Sequence, residues 1–409
     1  MIRQPLRILQ IHTRYRSGLA GEDAVVLAER KALEAMGHSV ATLEFRNSDV
    51  ASTGLRAMAT LGGSLWSLRA SRATRDSIQR EQPDVVHAHN LWVAASPSVL
   101  RAAKLAGVAV VATVHNWRML CASCTLVRHG EVCLLCAKGS PVHAVTKKCT
   151  YGSSRFRAAA ISAWQCFHRA NDTYKRYVHR LIVLSDYHRE LLGRYMPKDR
   201  IDVIFNAVPM CGHGNCASER PIDVLFVGRL EEEKGIRLLL AAVSLGVLDA
   251  RLTVVGTGPD GDRVRAAGPS LGIDWPGSVP QDVARDMQRK ARWTVVPSLV
   301  LETPLVVLEA LSAGTPVIVP DTPISRSYLE GFRCALFFRM ADKTSLREVI
   351  IQSTRVSDTE WATYSRAATA AHLKRFSTES HMSALLKTYQ DSISMASLNP
   401  QAQRPGRRP

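Results

Sequence analysis

Acidic residues are scarce in this sequence of 409 residues: Asp and Glu total 36 against 53 Lys and Arg, a formal net charge of +17. That imbalance implies anionic partners: nucleic acid, an acidic membrane surface or phosphorylated small molecules. Aromatic residues make up only 6%. No aromatic-rich single-strand-binding motif and no helix-turn-helix signature is present, which argues against nucleic acid. Long apolar runs are also missing. No segment approaches the roughly 18 uninterrupted apolar residues of a spanning helix, and the opening MIRQPLRILQIHTRYR holds too short an apolar stretch for a signal peptide. A cytosolic protein is expected, in which the nine cysteines are reduced thiols or metal ligands rather than disulfides.

Hydrophobic residues at 46% and charged residues at 22% are ordinary for a soluble globular chain, and the length suits two domains. LRILQIH (6–12) reads as a buried strand, followed by the glycine turn GLAGED (18–23), a helix over about 22–36 and a second strand. Strand, glycine turn and helix at this scale make a Rossmann-like unit. Strands at PDVVHAHN and VAVVATVHN, with a helix near 96–106 between them, continue the alternation that specifies a parallel sheet. The pattern loosens at 210–221 and restarts at IDVLFVGRL, with helices near 235–246, 260–268 and 280–291 around the strand RLTVVG. Domains over 1–209 and 222–396, a linker over 210–221 and a basic tail without apolar period over 397–409 follow. The last helix is able to pack back on the first domain. Two segments, 61–80 and 154–180, mix basic with aromatic and apolar residues and suit a phospholipid surface.

GRLEEEKGI (228–236) places Arg229 and Lys234 around a loop that opens a helix. Free backbone N–H groups and the helix dipole add to the two cations, making an anion site into which a diphosphate fits. VVGTGPDGD (254–262) is a second glycine loop after a strand. In VLETPLVVLEALSAGTPVIVPD (300–321), Thr303 and Pro304 read as N-cap and first helical residue, with Gly314 and Pro316 closing the helix. Glu302 then lies on the loop at a strand end and Glu309 within the helix, both facing a cleft. His87 and His89 share a strand face and could chelate zinc, but no third ligand lies nearby in sequence, so a cleft-lining role is favoured. Residues 121–149 hold Cys121, Cys124, Cys133, Cys136 and Cys149, including two C-x-x-C pairs. Paired thiolates at this spacing are a structural-zinc pattern, with five candidates for four places.

Taken in order, GED, HAHN, TVHN, VIFNAV, GRLEEEKG, VVGTGP and PSLVLETPLVVLEALSAGTPVIV resemble the family 4 glycosyltransferases of the GT-B fold, over about residues 6–390. The resemblance implies two Rossmann-like, doubly wound α/β domains facing each other across a cleft. It implies a UDP- or GDP-linked sugar donor, a retaining mechanism and a lipid-linked or polysaccharide acceptor in cell-surface polysaccharide synthesis. Arg229 and Lys234 match the pair that binds the diphosphate, Gly21 the first-domain glycine that approaches it, and Glu309 the carboxylate on the ribose hydroxyls. Glu302 matches the carboxylate near the transferred sugar, and His115 the histidine beside the reacting centre. No cofactor is required for such catalysis. Resembling bacterial polysaccharide enzymes with a similar insertion favour Cys121, Cys133, Cys136 and Cys149 as ligands of a structural zinc. The expected site of action is cytoplasmic, peripheral on the inner face of the membrane. One departure stands out: six residues separate Glu302 from Glu309, where the family usually has seven. If the helix fixes the alignment, Leu301 takes the first carboxylate's place. The rivals are a zinc-ribbon nucleic-acid-binding protein, disfavoured because the two carboxylates would repel a nucleic-acid backbone, and a degenerate glycosyltransferase serving as a binding subunit.

Overall fold

The computed structural model describes residues 4–14, 21–47, 64–149, 155–212, 219–247 and 249–398. The glycine turn before residue 21, parts of the linker and of the two basic segments, and the tail from 399 onward lie outside them. The chain divides into two units, one of residues 1–124, 134–205 and 381–409, the other of 125–133 and 206–380.

In the first unit β1 (Arg7–Arg14), β2 (Ser39–Arg46), β3 (Val85–Ala88), β4 (Ala109–Val114), β7 (Arg180–Val183) and β8 (Ile201–Val203) form a sheet in the order β2-β1-β3-β4-β7-β8, every pair parallel. β3 and β4 are buried along their whole length, which explains their continuous apolar sequence without alternation. The helix Gly21–Ala35 ends where Gly37 takes a φ of +85° and turns the chain into β2. From His381 on, the helix Thr378–Ser397 belongs to this unit, and its Met382, Leu385 and Tyr389 pack with Ile8, Val85 and Val111 of the sheet.

The second unit has β9 (Ile222–Val227), β10 (Leu252–Val255), β11 (Ile273–Gly277), β12 (Ala291–Val295), β13 (Val317–Pro320) and β14 (Ala335–Phe338), in the parallel order β11-β10-β9-β12-β13-β14. Strand β11 was not expected from the sequence. Its Pro276 and Gly277 read as a breaker, yet a proline is tolerated at the sheet edge where this strand lies.

Three expectations need correction. The first unit breaks off at Phe205 rather than 209, to resume at His381, because Val208 donates to Phe376 O (3.1 Å) and His372 Nε2 contacts Val208 O (2.9 Å), tying that segment to the second unit. The cysteine-bearing insertion is divided: the hairpin of β5 (Val127–Arg128) and β6 (Glu131–Val132) groups with the second unit, where Leu301 N donates to Thr125 O (3.1 Å). The helix after Glu302 begins one residue late, at Leu305. Pro304 is its N-cap with an extended ψ of 135°, and no side chain caps it.

Candidate functional site

A parallel sheet binds ligands outside the carboxyl ends of its strands, where the strand order reverses. In the second unit that point lies between β9 and β12, and the loops leaving these two strands are the cation-bearing and carboxylate-bearing segments. After β9, Gly228 leads to exposed Arg229, whose guanidinium pairs with Glu231 at 2.6 Å. A short 3-10 turn, Glu232–Lys234, then delivers the chain to the helix Ile236–Val243. Gly235 joins them at a φ of +78°, and a Cβ there would stand 1.8 Å from Pro297 O. Only glycine allows the two loops to close to this distance.

Across that contact, Ser298 Oγ donates to Glu233 O (3.3 Å) and Leu299 N to the same oxygen (2.9 Å). The loop is thereby fastened to the turn that carries Lys234. Lys234 Nζ donates to Glu302 Oε1 at 2.5 Å, and Ser298 Oγ lies 3.2 Å from the same oxygen. Leu301 is 1% exposed, whereas Glu302 is half-buried and turned to the lysine. The loop thus turns Glu302, and not Leu301, towards Lys234.

Glu309 lies in the middle of the helix Leu305–Ser312, half-buried, accepting from Gln281 Nε2 at 3.4 Å. Burial raises its carboxyl above the usual range, opposed by the Gln281 hydrogen bond and the charge of Arg285. Neither Gln281 nor Arg285 stood out in the sequence, being two polar residues on an amphipathic helix. The glycines of VVGTGPDGD have a structural cause. A Cβ on Gly256 would stand 1.9 Å from Gly228 O, and Leu230 N donates to Thr257 O (2.9 Å), so this loop buttresses the first one.

In the first unit the order reverses between β1 and β3. His115 follows the end of β4, its Nε2 3.2 Å from His89 Nδ1 and the two rings stacked 5.4 Å apart. Burial lowers the His115 pKa, with Glu22 and Glu29 opposing, so the ring is neutral at neutral pH. Gly21 is the exposed first residue of the helix Gly21–Ala35. Beside it, Glu22 Oε1 accepts from Asn116 Nδ2 at 2.9 Å, which holds the His115–Asn116 loop to the start of that helix. His12 Nε2 meets Asp23 Oδ1 at 2.6 Å, both buried. A recess of about 500 Å³, open to solvent, is lined by Glu22, His89, Asn90, Trp92, His115 and Asn116 among others.

The structure does not gather the cysteines. Among the described residues no three thiol sulfurs lie within 4.8 Å of one another. Cys133 belongs to the second unit and Cys121, Cys136 and Cys149 to the first. Cys136 and Cys149 pack instead with Ala122, Ala144 and Ile161 as small apolar groups.

Two family models match the chain. Residues 21–210 match that described as glycosyltransferase family 4, and residues 221–354 that described as glycosyl transferases group 1. An uncharacterized glycosyltransferase of Methanocaldococcus jannaschii is 32% identical over 143 residues, 30% of this chain and 37% of that protein. The lipopolysaccharide 1,6-galactosyltransferase of Escherichia coli is 27% identical over 180 residues, 39% of this chain and 49% of that protein. The chain thus matches half or less of the length of these relatives. The Anabaena protein HepE, solved with UDP and glucose, superposes with a TM-score of 0.59 at 14% identity, covering 96% of this chain and all of that one. Residues 21–210 and 221–354 thus each match a glycosyltransferase model, and the fold is GT-B, two parallel-sheet α/β domains.

Proposed function

We propose that this chain of two glycosyltransferase domains is a retaining glycosyltransferase. It transfers a sugar from a UDP- or GDP-linked donor to a lipid-linked or polysaccharide acceptor in cell-surface polysaccharide synthesis. The observation that carries the reading is the Lys234–Glu302 contact at the switch point of the second sheet. A lysine paired with a carboxylate is a ready diphosphate ligand: the incoming phosphate takes the ammonium, and Glu302 turns to sugar hydroxyls. The helix starting at Ile236 adds free N–H groups and its dipole. Charge developing on the leaving nucleoside diphosphate is stabilised by Lys234 and Arg229 already in place, without a metal ion. Glu309 binds the ribose hydroxyls. In the first unit Gly21 approaches the diphosphate, and neutral His115 serves the reacting centre as hydrogen-bond partner. The leaving phosphate takes the acceptor proton, so no carboxylate base is assigned.

HepE was solved with UDP and the Escherichia coli relative is a lipopolysaccharide galactosyltransferase, which supports a nucleotide sugar and a surface glycan here. Cytoplasmic location, peripheral on the inner membrane face, is supported by exposed Leu68 and Phe156 on the basic helices Leu68–Glu81 and Arg155–Ala170. No helix among the described residues is long and apolar enough to cross a membrane. A structural zinc on Cys121, Cys133, Cys136 and Cys149 belongs to the same reading only as what the family resemblance implies, since the structure does not bring these thiols together.

Calorimetry with UDP and GDP in chelator-containing buffer tests the donor site. Micromolar binding is expected for one of them, weakened about 10- to 100-fold by Lys234→Ala, while the bare nucleoside is hardly affected. Equal losses for nucleoside and diphosphate would remove Lys234 from the site. In the same buffer, anionic but not neutral vesicles are expected to sediment the protein; binding to neither would remove the membrane from the proposal.

A further inference from the structure

His87 and His89 lacked a third ligand in the sequence; the fold supplies one. Glu29, on the inner face of the helix Gly21–Ala35, is 5% exposed, and His87 and His89 are 0% and 5% exposed. One nitrogen of each ring and one carboxylate oxygen lie within 4.8 Å of one another, the one such trio among the described residues. We propose that Glu29, His87 and His89 form a buried site for a divalent transition metal of the zinc class.

Four observations carry this. Glu29 Oε1 lacks a donor at hydrogen-bonding geometry, although His87 Nδ1 stands 3.3 Å away. That separation is already about the distance between adjacent ligands on a tetrahedral ion with bonds of about 2.0–2.2 Å. His89 Nε2 is likewise buried without a partner. A proton shared between Glu29 and His87 would leave that nitrogen unsatisfied, whereas one cation answers all three groups. The surroundings also fix the rings as a metal needs them. His87 Nε2 lies 2.7 Å from Thr113 Oγ1; donating there leaves a lone pair on Nδ1, the nitrogen beside Glu29. His89 Nδ1, donating to His115 Nε2, leaves its lone pair on Nε2. Such outer hydrogen bonds orient metal-binding imidazoles.

Two imidazoles and one carboxylate suit zinc or its substitutes rather than magnesium or calcium, which take oxygen ligands. The Tyr389 hydroxyl, 2.8 Å from His87 Nδ1, would give up that hydrogen bond to an entering ion. The ion would clamp the helix Gly21–Ala35 to strand β3 behind His115, a structural role that leaves the donor chemistry metal-independent.

The test uses full-length protein stripped with a chelator and titrated with zinc chloride or cobalt chloride alone. In the Cys121→Ser/Cys136→Ser variant, one equivalent of zinc is expected to bind and raise the melting temperature. Its cobalt form should show visible ligand-field bands without a thiolate charge-transfer band. Glu29→Gln, which keeps the side-chain volume, should weaken zinc at least tenfold in that background, and His89→Ala should abolish the equivalent. If His89→Ala does not fold, Glu29→Gln and the cobalt spectrum decide. Absence of metal binding in the cysteine variant, or binding there that Glu29→Gln leaves unchanged, would overturn the site and make the cluster a hydrogen-bonded histidine network.

Discussion

The reversal point of the first sheet is surrounded by buried imidazoles, His12, His87 and His89, whereas that of the second carries half-exposed and exposed ion pairs, Lys234–Glu302 and Arg229–Glu231. The two sheets are alike in being six-stranded and parallel, so the contrast lies in the loops. Rings in a dry interior hold their places by packing and hydrogen bonds, and placing a new charge in such an interior costs desolvation. Ion pairs in contact with water hold by charge, and an anionic ligand can replace the carboxylate. One unit is therefore sensitive to acid and the other to phosphate.

Acid should break this comparison most strongly. Burial pushes His168 and His179 down to about 4, the latter helped by Lys104 and Arg200, and His188, stacked 3.6 Å from Trp117, down to about 3. All three belong to the first unit. Since the folded values lie below the unfolded value near 6.5, the unfolded chain binds more protons and stability falls as the pH falls. The loss begins below about 6.5 and is complete near the folded values. Each tenfold difference in proton affinity between the folded and unfolded chain contributes at most about 1.4 kcal/mol to it. Hydrogen exchange from pH 7 to pH 4.5 should show protection lost in β3, β4 and β7 by several kcal/mol before it changes in β9, β12 and β13. Simultaneous loss in both units would mean that these histidines do not set the acid limit.

Next in size is Gly235→Ala. The added Cβ meets Pro297 O at 1.8 Å in a backbone with φ of +78°, so the loops of the second unit must part. A destabilisation of about 3 kcal/mol or more is expected, with loss of nucleoside diphosphate binding even below the melting transition. Gly37→Ala, at a similar φ of +85° but with no atom within 4 Å of its Cβ, should cost about 1 kcal/mol from strain alone. Equal melting points for the two variants would show that the loop contact relaxes freely.

These two glycines also show what a sequence reveals. Strand, turn and helix were legible because apolar runs and glycines mark them at short range, and so was the division of Glu302 to a loop and Glu309 to a helix. Glu29 was not legible. It is one glutamate in AVVLAERKALEA, indistinguishable in pattern from a solvated charge, and only the pairing of β1 with β3 brings its helix against His87. The membership of residues 125–133 in the second unit was hidden for the same reason: it rests on a backbone bond from Leu301, which carries no residue-type signal. The start of the helix at 305 shows the limit of a local rule. Thr303 and Pro304 have the right chemistry for cap and first turn, but the extended ψ of Pro304 delays the helix by a residue.

The smallest expected effect on binding concerns the two glutamates, and it sharpens the comparison within the second unit. Glu309→Ala should weaken nucleoside diphosphate and donor by similar factors, about tenfold, because the ribose is common to both ligands. Glu302 is different. Without ligand it neutralises Lys234, so Glu302→Ala frees the ammonium and leaves nucleoside diphosphate affinity unchanged or slightly improved. If the loop presents Glu302 to the sugar, the same variant should reduce transfer about 100-fold, since the lost contact is one made to the reacting part of the donor. A residue serving only as the lysine's partner predicts otherwise: a stability change of about 0.3–1 kcal/mol for a half-exposed ion pair and an undiminished rate. Calorimetry and turnover on the same folded preparation separate the two. Parental turnover by Glu302→Ala would show that the short spacing has removed this carboxylate from the chemistry while keeping it as the counter-charge that the diphosphate displaces.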